Sequence, residues 1–287
     1  MLPKYLVDEV ILRALKEDVH YVDLSCAYLF TPEHTSEAQV IANAAGKFCG
    51  GEVFCRVFEL LHHSCKLDLK LHDGEAYQAG DLLIALSGPT TVLLQGERTA
   101  LNLLQHMCGS ATATAELVKA IEGTNAIIAD TRKTLPGLRA LQKYAVACGG
   151  GRNHRFGLSD AVMLKDNHID ACGGIEKAVN RVRQKLGHMT KIEVETRNLH
   201  EVQQAFRAGA DVIMLDNMTT EDMRKAVAWL RANENGCCPI IIEASGDITL
   251  ENAAEIARTG VDVLSLGSIT HSVKAANISM RIKNSTV

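Results

Sequence analysis

Charged and small polar side chains recur at one kind of position in the second half of the chain, directly after short apolar runs. Asp130 with Arg132 and Lys133 follows NAIIA, Lys165 follows AVML, Glu195 ends KIEVE and Asp216 ends DVIMLD. Glu243 and Ser245 close PIIIEAS, and Ser265, Gly267 and Ser268 close DVLSLGS. The signs sort along the chain. Arg132, Lys133, His154, Arg155 and Lys165 come from the first two runs and their loops; Glu195, Asp216 and Glu243 come from the next three. A basic half beside an acidic half suits a multiply anionic substrate that brings a divalent cation. Mg²⁺ takes one or two carboxylates, waters and substrate phosphates rather than a full protein cage. EASGDI and SLGSITHS supply small residues and backbone N–H groups before helices, where phosphates bind.

These side chains need elements that bring them to one face. The apolar runs alternate with amphipathic segments such as GGIEKAVNRVRQKLG, NLHEVQQAFRAGA and TTEDMRKAVAWLRAN. Thr219 or Thr220 and Thr249 fit helix N-caps, and Gly187, Gly209 and Gly260 fit helix stops. Continuous apolar strands alternating with helices mean a parallel sheet covered by helices. The steady rhythm favours a closed or nearly closed barrel, whose strand ends all point to one face. No GxGxxG follows the first strand, so a dinucleotide fold is a poor match.

The first hundred residues read differently. Helical patterns at 6–17 and 51–64 are interspersed with strand-like AQVIANA, LDLKLHDGE and DLLIALSG, and residues 90–123 read as one or two long helices. This is an α+β domain, joined to the barrel with no Pro-, Gly- or Ser-rich linker.

Composition sets the outer bounds. The chain has 287 residues, 47% of them apolar, enough for one large or two smaller cores. A net charge of −4 argues against non-specific nucleic-acid binding. The N-terminus lacks the pattern of a signal peptide, and no apolar run approaches the roughly 18–20 residues of a membrane span. Nine cysteines occur without a CxxC, and Cys237 and Cys238 have no second ligand pair at zinc spacing. Reduced thiols in a cytoplasmic protein are expected.

The stretch DTRKTLPGLRALQKYAVACGGGRNHRFGLSDAVMLKDNH resembles the quinolinate phosphoribosyltransferase family. GERTALNLL, KIEVET, IMLDN, EASGDITLEN and LSLGSIT follow in the family's order and spacing. The resemblance implies an α/β sandwich domain (1–108 with 272–287) beside an incomplete α/β barrel (109–271), paired as a homodimer. It implies transfer of phosphoribose from phosphoribosyl pyrophosphate to quinolinate with loss of CO₂, using Mg²⁺, as a step of NAD biosynthesis. On this resemblance Arg132, His154 and Arg155 hold the quinolinate carboxylates, and Arg98 reaches into the partner's site. Lys133 and Lys165 lie between the two substrates, and Glu195 and Asp216 stand near ribose and Mg²⁺. Ser245, Gly246, Gly267 and Ser268, with His271, form phosphate-binding turns. Asn153, Asp166, Asn167 and His168 brace Arg155 and Lys165, while the parts of Asn217 and Glu243 stay open. Arg139, read as two turns into a helix, is as well suited to a salt bridge as to a ligand. The chain departs from the family pattern at Val22-Asp23, Cys108 and Asp247.

Three other functions compete: a phosphoribosyltransferase of the same fold with another acceptor, a Schiff-base barrel lyase using Lys133 or Lys165, and a phosphate-binding barrel without turnover. An acceptor with one carboxylate would not need Arg98, Arg132 and Arg155 together.

Overall fold

The computed structural model describes residues 2–234 and 239–286; Cys237 and Cys238 lie outside them. The chain begins with α1 (Lys4–Asp18), α2 (Leu24–Leu29), β1 (Thr35–Ala42), β2 (Gly46–Lys47) and α3 (Gly51–Leu61). Then come β3 (Lys66–Leu69), β4 (Ala76–Tyr77), β5 (Leu82–Pro89) and α4 (Thr90–Ala120). Next are β6 (Ile127–Ala129), α5 (Arg139–Cys148), β7 (Val162–Leu164), α6 (Asp166–Cys172) and α7 (Ile175–Arg183). The chain continues through β8 (Ile192–Thr196), α8 (Leu199–Arg207), β9 (Val212–Asp216), α9 (Thr220–Asn233) and β10 (Ile241–Ser245). It ends with α10 (Ala253–Ala257), β11 (Val263–Ser265), α11 (Ser268–His271) and β12 (Ile278–Thr286). Two units result: Met1–Ala115 with Thr134–Gly150 and Ser268–Val287, and Glu116–Lys133 with Gly151–Gly267.

The first unit is built on a four-stranded antiparallel sheet in the order β12-β1-β5-β3. Along β1 buried residues recur at every second position, the period of a strand with one face on a core. Val40, Leu83 and Ile84 meet Phe54, Phe58, Leu101 and Leu104 there, all fully buried. The pattern over 90–123 folds as the single helix α4. Gly109 sits inside it because a Cβ there would lie 2.2 Å from the Lys274 carbonyl oxygen. The helix accepts the cost of about 1 kcal/mol for glycine so that the segment leading to β12 can pass close by.

The second unit is a six-stranded parallel sheet in the order β6-β11-β10-β9-β8-β7, interleaved with helices. Its strands read as apolar runs because both faces are covered: Val212 to Leu215 are all buried. The sheet is not closed. Among the described residues the outer edge of β6 is met only by an isolated bridge from Ala129 to Arg152, and β6 and β7 are not paired. The incomplete barrel is thus observed and a closed one is not. A rhythm of strands and helices specifies neighbours, but closure also requires the two edge strands to meet.

Local details follow the sequence unevenly. Thr219 caps α9 by accepting the Asp222 N–H, and Gly209 and Gly260 take positive φ just beyond helices. Thr249 is not a cap; α10 starts after Asn252. Arg139 opens α5 rather than lying inside it, and its Nε donates to Thr134 Oγ1 at 3.0 Å. At the start of the strands, Asp211 and Asp262 each accept a backbone N–H, from Ile192 and Ile242, and pair with Arg183 and Arg231. These bonds tie helices to the end of the sheet opposite its charged strand ends. Among the described residues no helix is long and apolar enough to cross a membrane.

Candidate active site

A cavity of about 500 Å³ opens in the second unit where the strands end. Of the residues singled out in the sequence, Arg132, Lys133, His154, Arg155, Lys165, Asp166, Glu195, Asp216, Asn217, Glu243, Ser245 and Ser265 line it. A larger cavity of about 610 Å³ belongs to the first unit, lined by residues such as Val53, Arg56 and Tyr144. Size does not decide between them. The smaller one gathers the cations and carboxylates that the strand pattern singled out, and catalytic groups converge at strand C-termini in barrels.

Strand register explains the convergence. Residues two apart on one strand share a face, so Met163 and Lys165, Glu193 and Glu195, Met214 and Asp216, and Glu243 and Ser245 form inward rows. Neighbouring strands pair Met163 with Glu193, Glu195 with Met214, Met214 with Glu243, and Asp216 with Ser245. Ser245 in turn pairs with Ser265.

The cationic side is held by buried bonds. Asp130, fully buried, accepts the His154 N–H at 2.8 Å and the Asn153 Nδ2–H at 2.6 Å. This clamps the loop that carries Arg155. The Arg155 Nη1 donates to the Ala161 carbonyl at 2.9 Å. Burial pushes the Arg155 guanidinium below its usual range, and the nearby charge of Arg132 pushes the same way. Two cations that repel in a partly buried site are prepared for an anion. Lys165 directly follows β7, and its Nζ donates to Glu195 Oε1 at 2.6 Å. His168 Nδ1 accepts the Lys165 N–H at 3.1 Å, so His168 braces the residue as the sequence suggested.

Beneath the cavity lies a group that sequence reasoning only half found. His154 Nδ1 accepts the Arg155 N–H at 2.7 Å, so the ring proton sits on Nε2. That nitrogen faces Glu193 Oε2 at 3.1 Å and Glu243 Oε1 at 3.5 Å. Both carboxylates are buried, and Oε1 of each lacks a hydrogen-bond partner. Burial, then the charge of Glu193, raises the Glu243 carboxyl to about 7. Both ring nitrogens of His154 are therefore engaged within the protein. Glu193 went unnoticed because it lies inside an apolar run; its spacing of two from Glu195 was the available signal.

The acidic side ends in strained backbone. Asn217 (φ 52) and Asp247 (φ 47) take left-handed conformations, as does Gly246 between β10 and Asp247 (φ 96). A Cβ on Gly246 would lie 2.0 Å from Asn217 Oδ1. Non-glycine residues in this region cost of order 1–3 kcal/mol and cluster at functional sites. Gly246 and Gly267 follow the ends of β10 and β11 without lining the cavity. Ser268 and His271 bound α11, in the first unit. Arg98, also in the first unit, is exposed on α4 and pairs with Glu97.

Comparison with known proteins identifies the family of both domains. Residues 23–108 match the N-terminal domain of quinolinate phosphoribosyl transferase, and residues 110–281 match its C-terminal domain. The "Probable nicotinate-nucleotide pyrophosphorylase (carboxylating)" of Bacillus subtilis is 44% identical over 93% of this chain and 90% of its own length. The nicotinate-nucleotide pyrophosphorylase (carboxylating) of Mycobacterium leprae is 37% identical over 95% of each chain. The crystal structure of NadC from Streptococcus pyogenes superimposes with a TM-score of 0.93 at 39% identity, covering 100% of this chain and 98% of the other. Matched along both domains and by fold, the chain belongs to the quinolinate phosphoribosyl transferase family.

Proposed function

We propose that the protein is a carboxylating nicotinate-nucleotide pyrophosphorylase: it joins quinolinate to phosphoribosyl pyrophosphate, giving nicotinate mononucleotide, pyrophosphate and CO₂ and feeding NAD biosynthesis. The observation that carries this reading is one cavity that holds two mutually repelling arginines, Arg132 and Arg155, together with Glu195 and Asp216. The activity named for the relatives supports it.

In this reading Arg132 and Arg155 take the two quinolinate carboxylates, because planar guanidinium forks match carboxylates bidentately. Binding relieves their repulsion. His154, with both ring nitrogens engaged, acts by holding the Arg155 backbone and by presenting its ring to the cavity. Lys133 and Lys165 serve as point charges for phosphate oxygens. Ser245, Gly246 and Gly267 receive the ribose phosphate near the ends of β10 and β11.

Glu195 and Asp216 fit Mg²⁺: both line the cavity, they end adjacent strands, and two carboxylates leave room for phosphate oxygens and water. When bound there, Mg²⁺ would neutralise charge on the departing pyrophosphate. The quinolinate nitrogen attacks the anomeric carbon, and the carboxylates favour the positive charge that develops on the ribose. The pyridinium then accepts the electron pair released as the adjacent carboxylate leaves as CO₂, and that ring carbon takes up one proton. Positioning and electrostatics carry this chemistry.

A homodimer with Arg98 acting in the partner's site, and a cytoplasmic location, belong to the same proposal. The Schiff-base reading loses ground because Lys165 is engaged by Glu195 rather than set in an apolar pocket.

The test is turnover by the purified chain with quinolinate, phosphoribosyl pyrophosphate and Mg²⁺. Product should form, stop on chelation and resume when Mg²⁺ returns. A folded protein that yields none would overturn the reading. Mixing inactive R98A and K165A subunits should restore activity in hybrids if Arg98 works across the interface.

A further inference from the structure

The first unit contains a sulfur pair that the reaction does not use. Cys49 Sγ, Cys148 Sγ and a carboxylate oxygen of Asp73 all lie within 4.8 Å of one another. Cys49 immediately precedes Gly50, the N-cap of α3, and Cys148 is the last residue of α5. Asp73 fastens these two elements together. Its Oδ1 accepts the N–H groups of Gly50 and Gly51, at 3.0 and 3.2 Å, and its Oδ2 accepts the Tyr144 O–H at 2.8 Å. Tyr144 stands one helical turn before Cys148 on α5. The same brace therefore sets the start of α3 against the end of α5 and brings the sulfurs together.

Two chemistries could use such a cluster. A structural zinc site needs four ligands, usually cysteine or histidine. Here there are two sulfurs, and Asp73 already accepts three hydrogen bonds. A third cysteine, Cys108, is engaged with the Cys49 backbone: its sulfur accepts the Cys49 N–H at 3.3 Å and donates to the Cys49 carbonyl at 3.4 Å. A disulfide needs only the two sulfurs.

We propose that Cys49 and Cys148 form a redox pair that closes to an intramolecular disulfide on exposure to a peroxide. The pair is asymmetric in the required way. Cys148 is partly exposed and Cys49 is buried. The neighbouring Cys49 thiol holds the Cys148 thiol below its ordinary range, while Cys148 and burial drive Cys49 up. The Cys148 thiolate attacks one peroxide oxygen, the O–O bond breaks, and hydroxide leaves, giving the sulfenic acid. The Cys49 sulfur then attacks the Cys148 sulfur, the S–O bond breaks, and water leaves. In total two thiols lose two hydrogens and hydrogen peroxide becomes two waters. Pre-alignment by Asp73 favours this internal closure over further oxidation of Cys148. Asp73 and Tyr144 also line the first unit's cavity of about 610 Å³, which gives the oxidant a route to the brace.

The test uses the full chain treated with hydrogen peroxide, its remaining thiols then blocked, and digested without reductant for mass spectrometry. The expected result is a peptide pair joined through Cys49 and Cys148, two hydrogens lighter than the separate peptides and released by dithiothreitol. It should be absent from C148S and unaffected in C108S. Peptides in which Cys49 and Cys148 remain blockable thiols, stop at sulfinic acid, or pair with other cysteines would overturn the proposal. The wild-type map decides alone, so an unstable variant does not obscure it.

Discussion

Lys165 Nζ and Glu195 Oε1 are 2.6 Å apart, joining the ends of β7 and β8 at the cavity wall. The pair links the basic half of the site to its acidic half. Each partner has a second duty in the proposed reaction, Lys165 toward phosphate oxygens and Glu195 toward the metal and ribose. Lys165→Ala should therefore lower kcat/KM on the order of a hundredfold or more, as for loss of one preorganised charge partner. A loss below tenfold in steady-state assays would remove Lys165 from the site.

Arg132 and Arg155 should separate substrate effects. Arg132→Lys keeps the charge but loses the planar fork. It should raise the quinolinate KM by roughly tenfold or more, the scale of one charge-assisted hydrogen bond, and leave the phosphoribosyl pyrophosphate KM nearly unchanged. Equal increases in both constants would contradict a carboxylate-binding role.

Glu243 gives a pH signature. Its carboxyl rises from an ordinary value of 4.5 to about 7 in the folded protein. Below about pH 4.5 both states hold the proton, so the folded state's advantage is complete. Between about 4.5 and 7 the unfolded chain has released it and the folded one has not. Stability from this group falls as pH rises through that window and levels off above it, by an amount on the order of a few kcal/mol. Glu243→Gln keeps a neutral group of the same shape and should flatten that part of the profile in urea melts. An unchanged slope in the variant would show that Glu243 is ionised in the fold.

Gly246→Ala should lower stability by about 1–3 kcal/mol, because it adds positive-φ strain to a clash with Asn217. Adding Asn217→Gly should relieve both the clash and the strain at 217, leaving only the positive-φ strain at 246. Thermal melts of the single and double variants check this; a single variant as stable as the parent would contradict it.

Particular residues show how far the sequence could be read. The strands were legible because burial on both faces makes continuous apolar runs, as in Val212 to Leu215. Their charged ends were legible because polar residues interrupt those runs abruptly at Lys165 and Asp216. Asp130 looked like another strand-end charge, yet it is fully buried and holds the loop of His154. Glu193 was hidden within its strand. Closure of the barrel was not legible, because it depends on whether β6 and β7 meet, and no local pattern encodes that. The depth of Arg139 in its helix was not legible: a start at Pro136 puts it less than one turn in, and the turn at 136–137 delays the helix to Arg139 itself.

The most direct measurement follows both products of one reaction. Quinolinate labelled in the carboxylate next to the ring nitrogen is incubated with phosphoribosyl pyrophosphate, Mg²⁺ and the purified protein. One labelled CO₂ should be released for each nicotinate mononucleotide formed, with little product when nicotinate replaces quinolinate. Nucleotide formation from nicotinate at a comparable rate, or from quinolinate without CO₂, would contradict a site built around two carboxylates.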